Sequence, residues 1–185
     1  QGFPLTVPTG PWELCLTIGD HWAWRTHPDN EKSARSLLVT LIDVVERGGN
    51  LLLNVGPGPD GTLPEVENER LQEFADWMHA HAESVIGVEP TQGIDFHGPT
   101  TAREGRLYLH LTAIPVDEII VRGLPVRRIT RVHRLADGLE LQHDASFEVH
   151  EASTAGDDSG ELRIVAPASP SGALIDVIAI DFSTE

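Results

Sequence analysis

The chain has 185 residues, of which 40% are hydrophobic, so it can bury the core of one large domain or two small domains. Its 29 acidic residues outnumber 13 Lys and Arg, and the formal net charge is −16. A surface of this sign repels phosphate backbones and anionic lipid headgroups, which excludes nucleic acid and membrane surfaces as expected partners.

Cysteine and histidine spacing bears on crosslinks and metals. Cys15 is the only cysteine, so no disulfide can form within the chain. The sequence has no paired-cysteine pattern and no His-Glu-x-x-His pattern, and we therefore expect no metal site. No signal peptide is visible, and no apolar run reaches the roughly 20 residues that span a bilayer. These observations leave the cellular compartment open.

The first predicted elements are a strand, a loop and a helix. Residues 13–18 are mostly apolar and predict a buried strand, whereas residues 19–30 lack periodicity and predict a loop. Asp29 or Asn30 is expected to cap the following helix, and Gly48 to end it by adopting a positive φ. The apolar residues of this helix recur on one face: Ala34, Leu37, Leu38, Leu41, Ile42 and Val45.

A second strand and helix follow. Residues 51–55 are apolar on both faces, which predicts a parallel strand covered on both sides. Residues 56–61 are nearly all Gly or Pro and predict a loop, and Pro64 suits the first turn of a helix that ends near Gly87. That helix is expected to bury Leu71, Phe74, Ala75, Met78 and Val85. Residues 12–87 therefore predict the βα alternation of a parallel sheet.

The pattern changes after about residue 90 to short segments in which apolar and polar residues alternate. The predicted strands cover residues 106–112, 118–121, 127–135, 139–143, 146–150, 161–165 and 174–182. Turn residues separate them at the spacing of an antiparallel sandwich, and residues 152–160 predict a loop. The predicted fold class is α/β followed by all-β, with domains over residues 1–90 and 91–185.

Five local strings stand out in order along the first half of the chain. They are residues 11–20 (PWELCLTIGD), Trp22, residues 41–45 (LIDVV), residues 48–57 (GGNLLLNVGP) and Asp60-Gly61. Their order and spacing resemble the C-terminal half of the catalytic domain of family 29 α-L-fucosidases, over roughly residues 11–88. The resemblance implies the last two βα units of a (β/α)8-type barrel, followed by a C-terminal antiparallel β-sandwich.

The resemblance also implies a reaction. Family members release L-fucose from fucosylated glycans by a retaining mechanism that needs no metal or organic cofactor. One carboxylate attacks the anomeric carbon and a second, about 5–5.5 Å away, protonates the leaving oxygen. By resemblance both carboxylates lie upstream of Gln1, so we expect the chain alone to be inactive.

Barrel size leads to the same expectation. A complete barrel takes about 250 residues for eight βα units. Two units would leave open sheet edges and apolar helix faces in water. The missing units are therefore expected upstream or in a second chain, and a homo-oligomer is left open.

Four residues at the ends of the predicted strands are candidates for the fucose site. By resemblance, Trp22 packs against the apolar face of fucose, and the alternative is that it fills a gap under its loop. His21 either binds a sugar hydroxyl or is solvated, and solvation is the favoured interpretation of His27. Asn54 binds substrate or, as we favour, holds the Gly-Pro loop.

Two candidates belong to the first strand. Glu13 is its only carboxylate, and a buried carboxylate costs several kcal/mol unless it is paired. Glu13 is a candidate acid/base, although we favour a role in orienting a neighbour or pairing with an Arg of the missing barrel. Trp12 is a candidate substrate contact, with packing favoured.

The alternative to an enzyme part is a non-catalytic, carbohydrate-associated scaffold. The predicted sandwich has few aromatic residues with which to bind a sugar: Phe96, Tyr108, Phe147 and Phe182. Three of them fall inside predicted strands and are expected in the core. A scaffold role is therefore favoured for residues 91–185.

Overall fold

The structure is a computed structural model that describes residues 6–26, 30–147, 159–167 and 171–183. Short 3-10 turns cover Ala82–Ser84 and Val126–Arg128. The strands and helices, in chain order, are β1 (Glu13–Thr17), α1 (Ala34–Glu46), β2 (Asn50–Asn54), α2 (Glu65–His81), β3 (Glu89–Pro90), β4 (Thr100–Arg103), β5 (Arg106–Leu111), β6 (Glu118–Pro125), β7 (Ile129–Arg134), β8 (His143–Phe147), β9 (Ser159–Val165) and β10 (Asp176–Phe182).

The first four elements confirm the predicted strand–helix–strand–helix order. β1 and β2 pair in parallel, with Glu13 opposite Asn50 and Thr17 opposite Asn54. Gly48, at φ 74°, follows the end of α1 as predicted. The side chains of β1 and β2 are less buried than expected. Most are only partly buried, and Leu52 is 44% exposed.

The predicted cap of α1 is wrong. Ser33 caps the helix, and its hydroxyl accepts a hydrogen bond from the Ser36 backbone N–H at 3.2 Å. Asn30 instead uses its side-chain amide to donate to Asp20 Oδ2 at 3.2 Å, and Asp29 lies outside the described residues. Ser33 competes better because it directly precedes the first helical residue, where its oxygen reaches the free N–H groups of the first turn.

The buried face of α2 differs from the predicted one. Pro64 precedes the helix as expected, but Ala75 is exposed and Trp77 is 3% exposed. The Trp77 indole N–H donates to the Ile175 carbonyl at 2.7 Å, which turns this face of the helix toward the strands. Of the other predicted residues, Val85 is buried and three are partly buried: Leu71, Phe74 and Met78.

Residues after Glu89 form two antiparallel sheets, as predicted. Their strand orders are β3-β4-β5-β10-β7 and β6-β9-β8. Apolar side chains from both sheets meet in one core, which confirms the β-sandwich. Most of the buried residues of this core come from β5, β6, β9 and β10: Leu107, Leu109, Leu111, Ile119, Val121, Leu124, Leu162, Ile164, Ile178 and Ile180.

One of the predicted strand positions is wrong, and the end of one predicted loop is wrong as well. Residues 139–142 form no strand, because Asp137 accepts from the Leu139 N–H at 3.1 Å and pairs with Arg134, which makes a turn. Leu139 and Leu141 alternate with polar residues as in a strand, but the strand of this region is β8, which begins at His143 and pairs with β9. The predicted strand at 146–150 and loop at 152–160 lie partly outside the described residues, and β9 already begins at Ser159.

The five-stranded sheet is buried on both faces. One face of β5 and β10 belongs to the sandwich core, whereas Tyr108, Val177 and Ala179 point to a second core with the helices. Leu38 of α1 and Trp77 of α2 are buried in that second core. The predicted boundary between residues 90 and 91 falls at the end of β3, which already pairs with β4 in this sheet.

In the described part of the chain, neither helix combines the length and the apolar character that crossing a bilayer requires.

Buried histidines lie where the helices meet the sheet. His81 is 1% exposed and His110 is 0% exposed. The Thr101 hydroxyl donates to the Ser84 carbonyl at 2.6 Å and therefore accepts from His110 Nε2, 3.0 Å away. Burial, and to a smaller extent the nearby His81, lower the pKa of His110 to about 3, because a protonated ring would lose its hydration there.

This burial predicts acid sensitivity. Since the pKa of His110 is about 3 in the folded chain and about 6.5 when unfolded, the unfolded state binds the extra proton between these values. The free energy of unfolding should therefore fall by up to about 1.4 kcal/mol per pH unit on acidification through that window. In urea unfolding at about pH 7.5 and about pH 5, the free energy of unfolding of His110→Gln should fall less between the two pH values than that of the unsubstituted chain. His143→Gln, at an exposed position, should show the same pH dependence of the free energy of unfolding as the unsubstituted chain. The same pH dependence in all three proteins would contradict the prediction.

Candidate functional site

The carboxyl ends of β1 and β2 lie side by side, because the two strands are parallel and in register. The loop after β1, described over residues 18–26, and the loop after β2, residues 55–64, therefore leave the sheet at the same end. Ligand sites of parallel sheets form at this end of the strands. The two loops and the residues they bring together are the candidate site.

Three contacts join these loops to each other and to α2. The Asn54 side-chain amide donates to the Trp22 carbonyl at 3.0 Å. Gly56 allows the closest approach, since a Cβ there would lie 3.2 Å from the Trp24 backbone nitrogen. The Gly56 N–H donates to Glu67 Oε2 at 2.8 Å, which ties the second loop to the first turn of α2. The loops and the helix start are thus one connected unit.

Trp22 offers an aromatic face to the surroundings. It is 50% exposed, so about half of the residue remains open beside its loop. Its backbone is fixed through Asn54, which holds the loop after β1 instead of the Gly-Pro loop that the sequence suggested. An exposed indole on an anchored backbone is suited to covering an apolar ligand surface.

Trp12 and Glu13 lie at the opposite end of the strands from these loops. The Trp12 carbonyl accepts from the Asn50 N–H at 3.0 Å, and its indole N–H donates to the Arg47 carbonyl at 3.2 Å. Its ring covers Gly49, where a Cβ would lie 2.4 Å from a ring carbon. Four residues of strand separate Glu13 from the loops, about 13 Å at 3.3 Å per residue. In this structure Trp12 therefore packs against Gly49 and bonds to the Arg47 carbonyl, away from the candidate site.

The expected burial of Glu13 is not observed. In this chain the residue is exposed at the first position of β1, where nothing described covers it. The Cys15 thiol, on the same face of the strand, lies 3.7 Å from Glu13 Oε1. Loss of hydration and then the neighbouring Glu13 carboxylate raise the pKa of Cys15.

A cavity of about 320 Å³ opens between the loop after β1 and the start of α2. It brings together His21, Trp24 and Arg25 from the loop with Glu31 and Glu67, and Trp22 and Asn54 do not line it. Burial raises the pKa of Glu31, and the Glu67 carboxylate raises it further. His27 lies outside the described residues. Within the described ranges, no group of three or more His, Cys, Asp or Glu side chains could hold a metal ion.

Sequence reasoning missed Trp24 and Glu67. Trp24 is 42% exposed and lies two residues beyond Trp22 in the same loop, a spacing that could have marked it. Glu67 occupies the first turn of α2, where an acidic residue is ordinarily explained by the helix dipole. Its second role, accepting from Gly56, depends on a loop closure that no local pattern encodes.

Known proteins similar to this chain are α-L-fucosidases. Residues 1–83 match the family model described as alpha-L-fucosidase. The α-L-fucosidase of Dictyostelium discoideum is 30% identical over an alignment of 129 positions, and the alignment covers 66% of this chain and 28% of that protein. The predicted resemblance is thereby confirmed.

Solved structures give the same result for the fold. The α-L-fucosidase of Vibrio sp. strain EJY3 superposes with a TM-score of 0.81 and 27% identity, covering 98% of this chain and 31% of that one. Isoenzyme 1 of Paenibacillus thiaminolyticus superposes with a TM-score of 0.78 and 26% identity, covering 94% and 40%. This chain therefore spans less than half the length of each of these relatives.

The Asn54 contact predicts a local loosening. Asn54→Ala should lower the free energy of unfolding by about 1 kcal/mol, because one hydrogen bond between the loop and the strand is lost. Trypsin should also cleave faster after Arg25, as measured by mass spectrometry of timed digests. Asn68→Ala, at an exposed position of α2, is the matched control. Unchanged cleavage in Asn54→Ala would show that the contact does not hold the loop.

Proposed function

Since the chain belongs to the α-L-fucosidase family, glycoside hydrolase family 29, we propose that it is the C-terminal part of a retaining α-L-fucosidase. In this proposal it supplies one wall of the pocket that holds a terminal α-L-fucosyl group of a glycan. The half-exposed indole of Trp22, held at the carboxyl ends of two parallel strands, is the observation that carries the proposal.

We infer that β1, α1, β2 and α2 are the last two βα units of a (β/α)8-type barrel, with a boundary near residue 90. The parallel pairing of β1 and β2 through α1 supports this arrangement, as does the exposure of Leu52 on β2. A two-stranded sheet with an apolar side chain in water gains stability when further strands cover it. The partner that fits these surfaces is the upstream barrel segment, in the same polypeptide or as a second chain.

The proposed chemistry divides between this chain and that segment. An upstream carboxylate attacks the anomeric carbon, and the bond to the leaving oxygen breaks as a second upstream carboxyl group donates its proton. Water then displaces the first carboxylate from the sugar while its proton passes to the second carboxylate. Trp22 would cover the C–H groups and the methyl group of fucose, whose hydroxyls bind elsewhere, and His21 would bind one of them. Asn54 acts by fixing the backbone of Trp22.

The sandwich suits a supporting role. Tyr108 is fully buried, and Phe96 and Phe182 are partly buried against the sandwich core. Phe147, expected in the core, is 44% exposed, but the Arg127 guanidinium lies over its ring at 4.7 Å. Aromatic faces for a second glycan site are therefore scarce among the described residues 91–147, 159–167 and 171–183. We propose that this domain supports the helices of the catalytic part.

Hydrolysis of an aryl α-L-fucoside tests the function. The chain alone should be inactive, and the chain joined to its upstream segment should release the aryl group. Proton NMR of the first product should show the α-anomer, because two displacements restore the configuration. Activity of the chain alone would place the catalytic pair within it, and a β-anomeric first product would exclude the retaining mechanism.

The role of Trp22 is tested by substitution in the same extended protein. Trp22→Ala should lower kcat/KM for the aryl fucoside by roughly tenfold to a hundredfold, because the apolar face of the sugar loses its cover. Trp22→Phe should retain most of the activity. Ile86→Ala, at a position 60% exposed and outside the loops, is the control. Full activity of Trp22→Ala would remove this residue from the proposed pocket.

A further inference from the structure

Trp24 separates two concave surfaces. One is the cavity beside the start of α2, and the other is a groove of about 380 Å³ along the loop after β2. Trp24 and Pro64 line both, so together they form the wall between them. The groove is completed by Pro59, Asp60 and Leu63, residues to which the proposed fucose pocket assigns no role.

The Trp24 indole is anchored and still has capacity to bind. Its backbone packs against Gly56, and a Cβ at Gly58 would lie 3.4 Å from its Nε1. The side chain is 42% exposed, which leaves much of it open to a ligand. Among the described residues its indole N–H has no hydrogen-bond partner. The indole therefore offers an apolar face together with one unused donor.

The opposite side of the groove is ordered before any ligand binds. The Gly58 N–H donates to the Thr62 carbonyl at 2.8 Å, and the Gly61 N–H donates to the Gly58 carbonyl at 2.9 Å. Asp60 Oδ1 accepts from both the N–H and the hydroxyl of Thr62, at 3.0 and 2.7 Å. A loop closed in this way loses little conformational freedom on binding.

The Asp60 carboxylate provides an acceptor at the rim of the groove. Its bonds from Thr62 lower its pKa, so it stays ionised in mildly acidic solution. Oδ1 is occupied by Thr62, which leaves Oδ2 for a ligand hydroxyl. A carboxylate on a chain of formal charge −16 repels anions, so a neutral ligand is favoured over a sulfated or sialylated one.

An apolar indole face, a donor and a hydroxyl acceptor around one groove match a pyranose ring, which has apolar C–H faces and a rim of hydroxyls. We propose that this groove binds the neutral saccharide to which fucose is linked, and that Trp24 is a specificity-determining residue for that leaving group. The inference rests on the proposed function, because it takes fucose to lie beside Trp22, two residues from Trp24.

The test compares two substrates of the extended protein that differ only in the leaving group. α-L-Fucosyl fluoride has a one-atom leaving group, and the second substrate is the best cleaved of the α1,2-, α1,3- and α1,6-linked neutral fucosyl disaccharides. Trp24→Ala should lower kcat/KM for the disaccharide roughly tenfold more than for the fluoride. Trp24→Phe should keep most of the preference, and Asp60→Asn, which retains the Oδ1 acceptor for Thr62, should weaken it by about threefold.

Phe147→Ala is the matched control, because Phe147 is about as exposed as Trp24 (44% against 42%) and lies on β8, in the three-stranded sheet of the sandwich. It should leave both rates unchanged. Equal losses on the two substrates in Trp24→Ala would overturn the inference and place Trp24 in the fucose pocket instead. Unchanged rates on both substrates in Trp24→Ala, or cleavage of the fluoride but of no disaccharide by the unsubstituted protein, would also overturn it while leaving the proposed function intact. If the unsubstituted extended protein cleaved neither substrate, the proposed function would fail, and the inference with it.

Discussion

The two-sided burial of the five-stranded sheet is the constraint on which the rest of the structure depends. Successive side chains of a strand point to opposite faces, so β5 and β10 must supply two apolar sets at once. Leu107 and Leu109 enter the sandwich core, whereas Tyr108 faces the helices. Without the helical layer, one face of this sheet would be an apolar surface in water. The sandwich and the helices are therefore energetically coupled, although they differ in fold class.

The second helix carries this coupling to the candidate site. Near its C-terminal end, Trp77 donates to the Ile175 carbonyl beside β10, and the turn that follows is held by the ion pair of Arg106 with Glu83 at 2.7 Å. In its first turn, Glu67 accepts from Gly56 in the loop after β2. Since a helix is stiff over its length, the sandwich helps to fix the loop after β2 and, through the contact of Gly56 with Trp24, the loop that bears Trp22 and Trp24. A role for the sandwich in the site does not require it to touch a ligand.

Periodicity predicted the parts of the fold that depend on burial, and tertiary contacts decided the rest. The parallel pair, both helices and the antiparallel sandwich follow from apolar spacing, because each element buries one or two regular faces. Asp137 shows the limit, since one side chain converts an alternating segment into a turn. For the candidate site, the family resemblance predicted the loop with Trp22 and His21. Trp24 and Glu67 were missed because their contacts depend on the close approach at Gly56, which brings together residues from separate loops.

The uneven placement of the tryptophans has a consequence for spectroscopy. Of the four in the sequence, Trp22 and Trp24 are about half-exposed to water in the loop after β1, whereas Trp77 is sealed between α2 and the sheet. Indole emits at longer wavelengths in water than in an apolar interior, so the two environments contribute distinct bands to the intrinsic fluorescence. The red part of the emission reports on the loops and the blue part on the helix–sheet junction. One cuvette experiment can therefore follow events at both ends of α2 without an added dye.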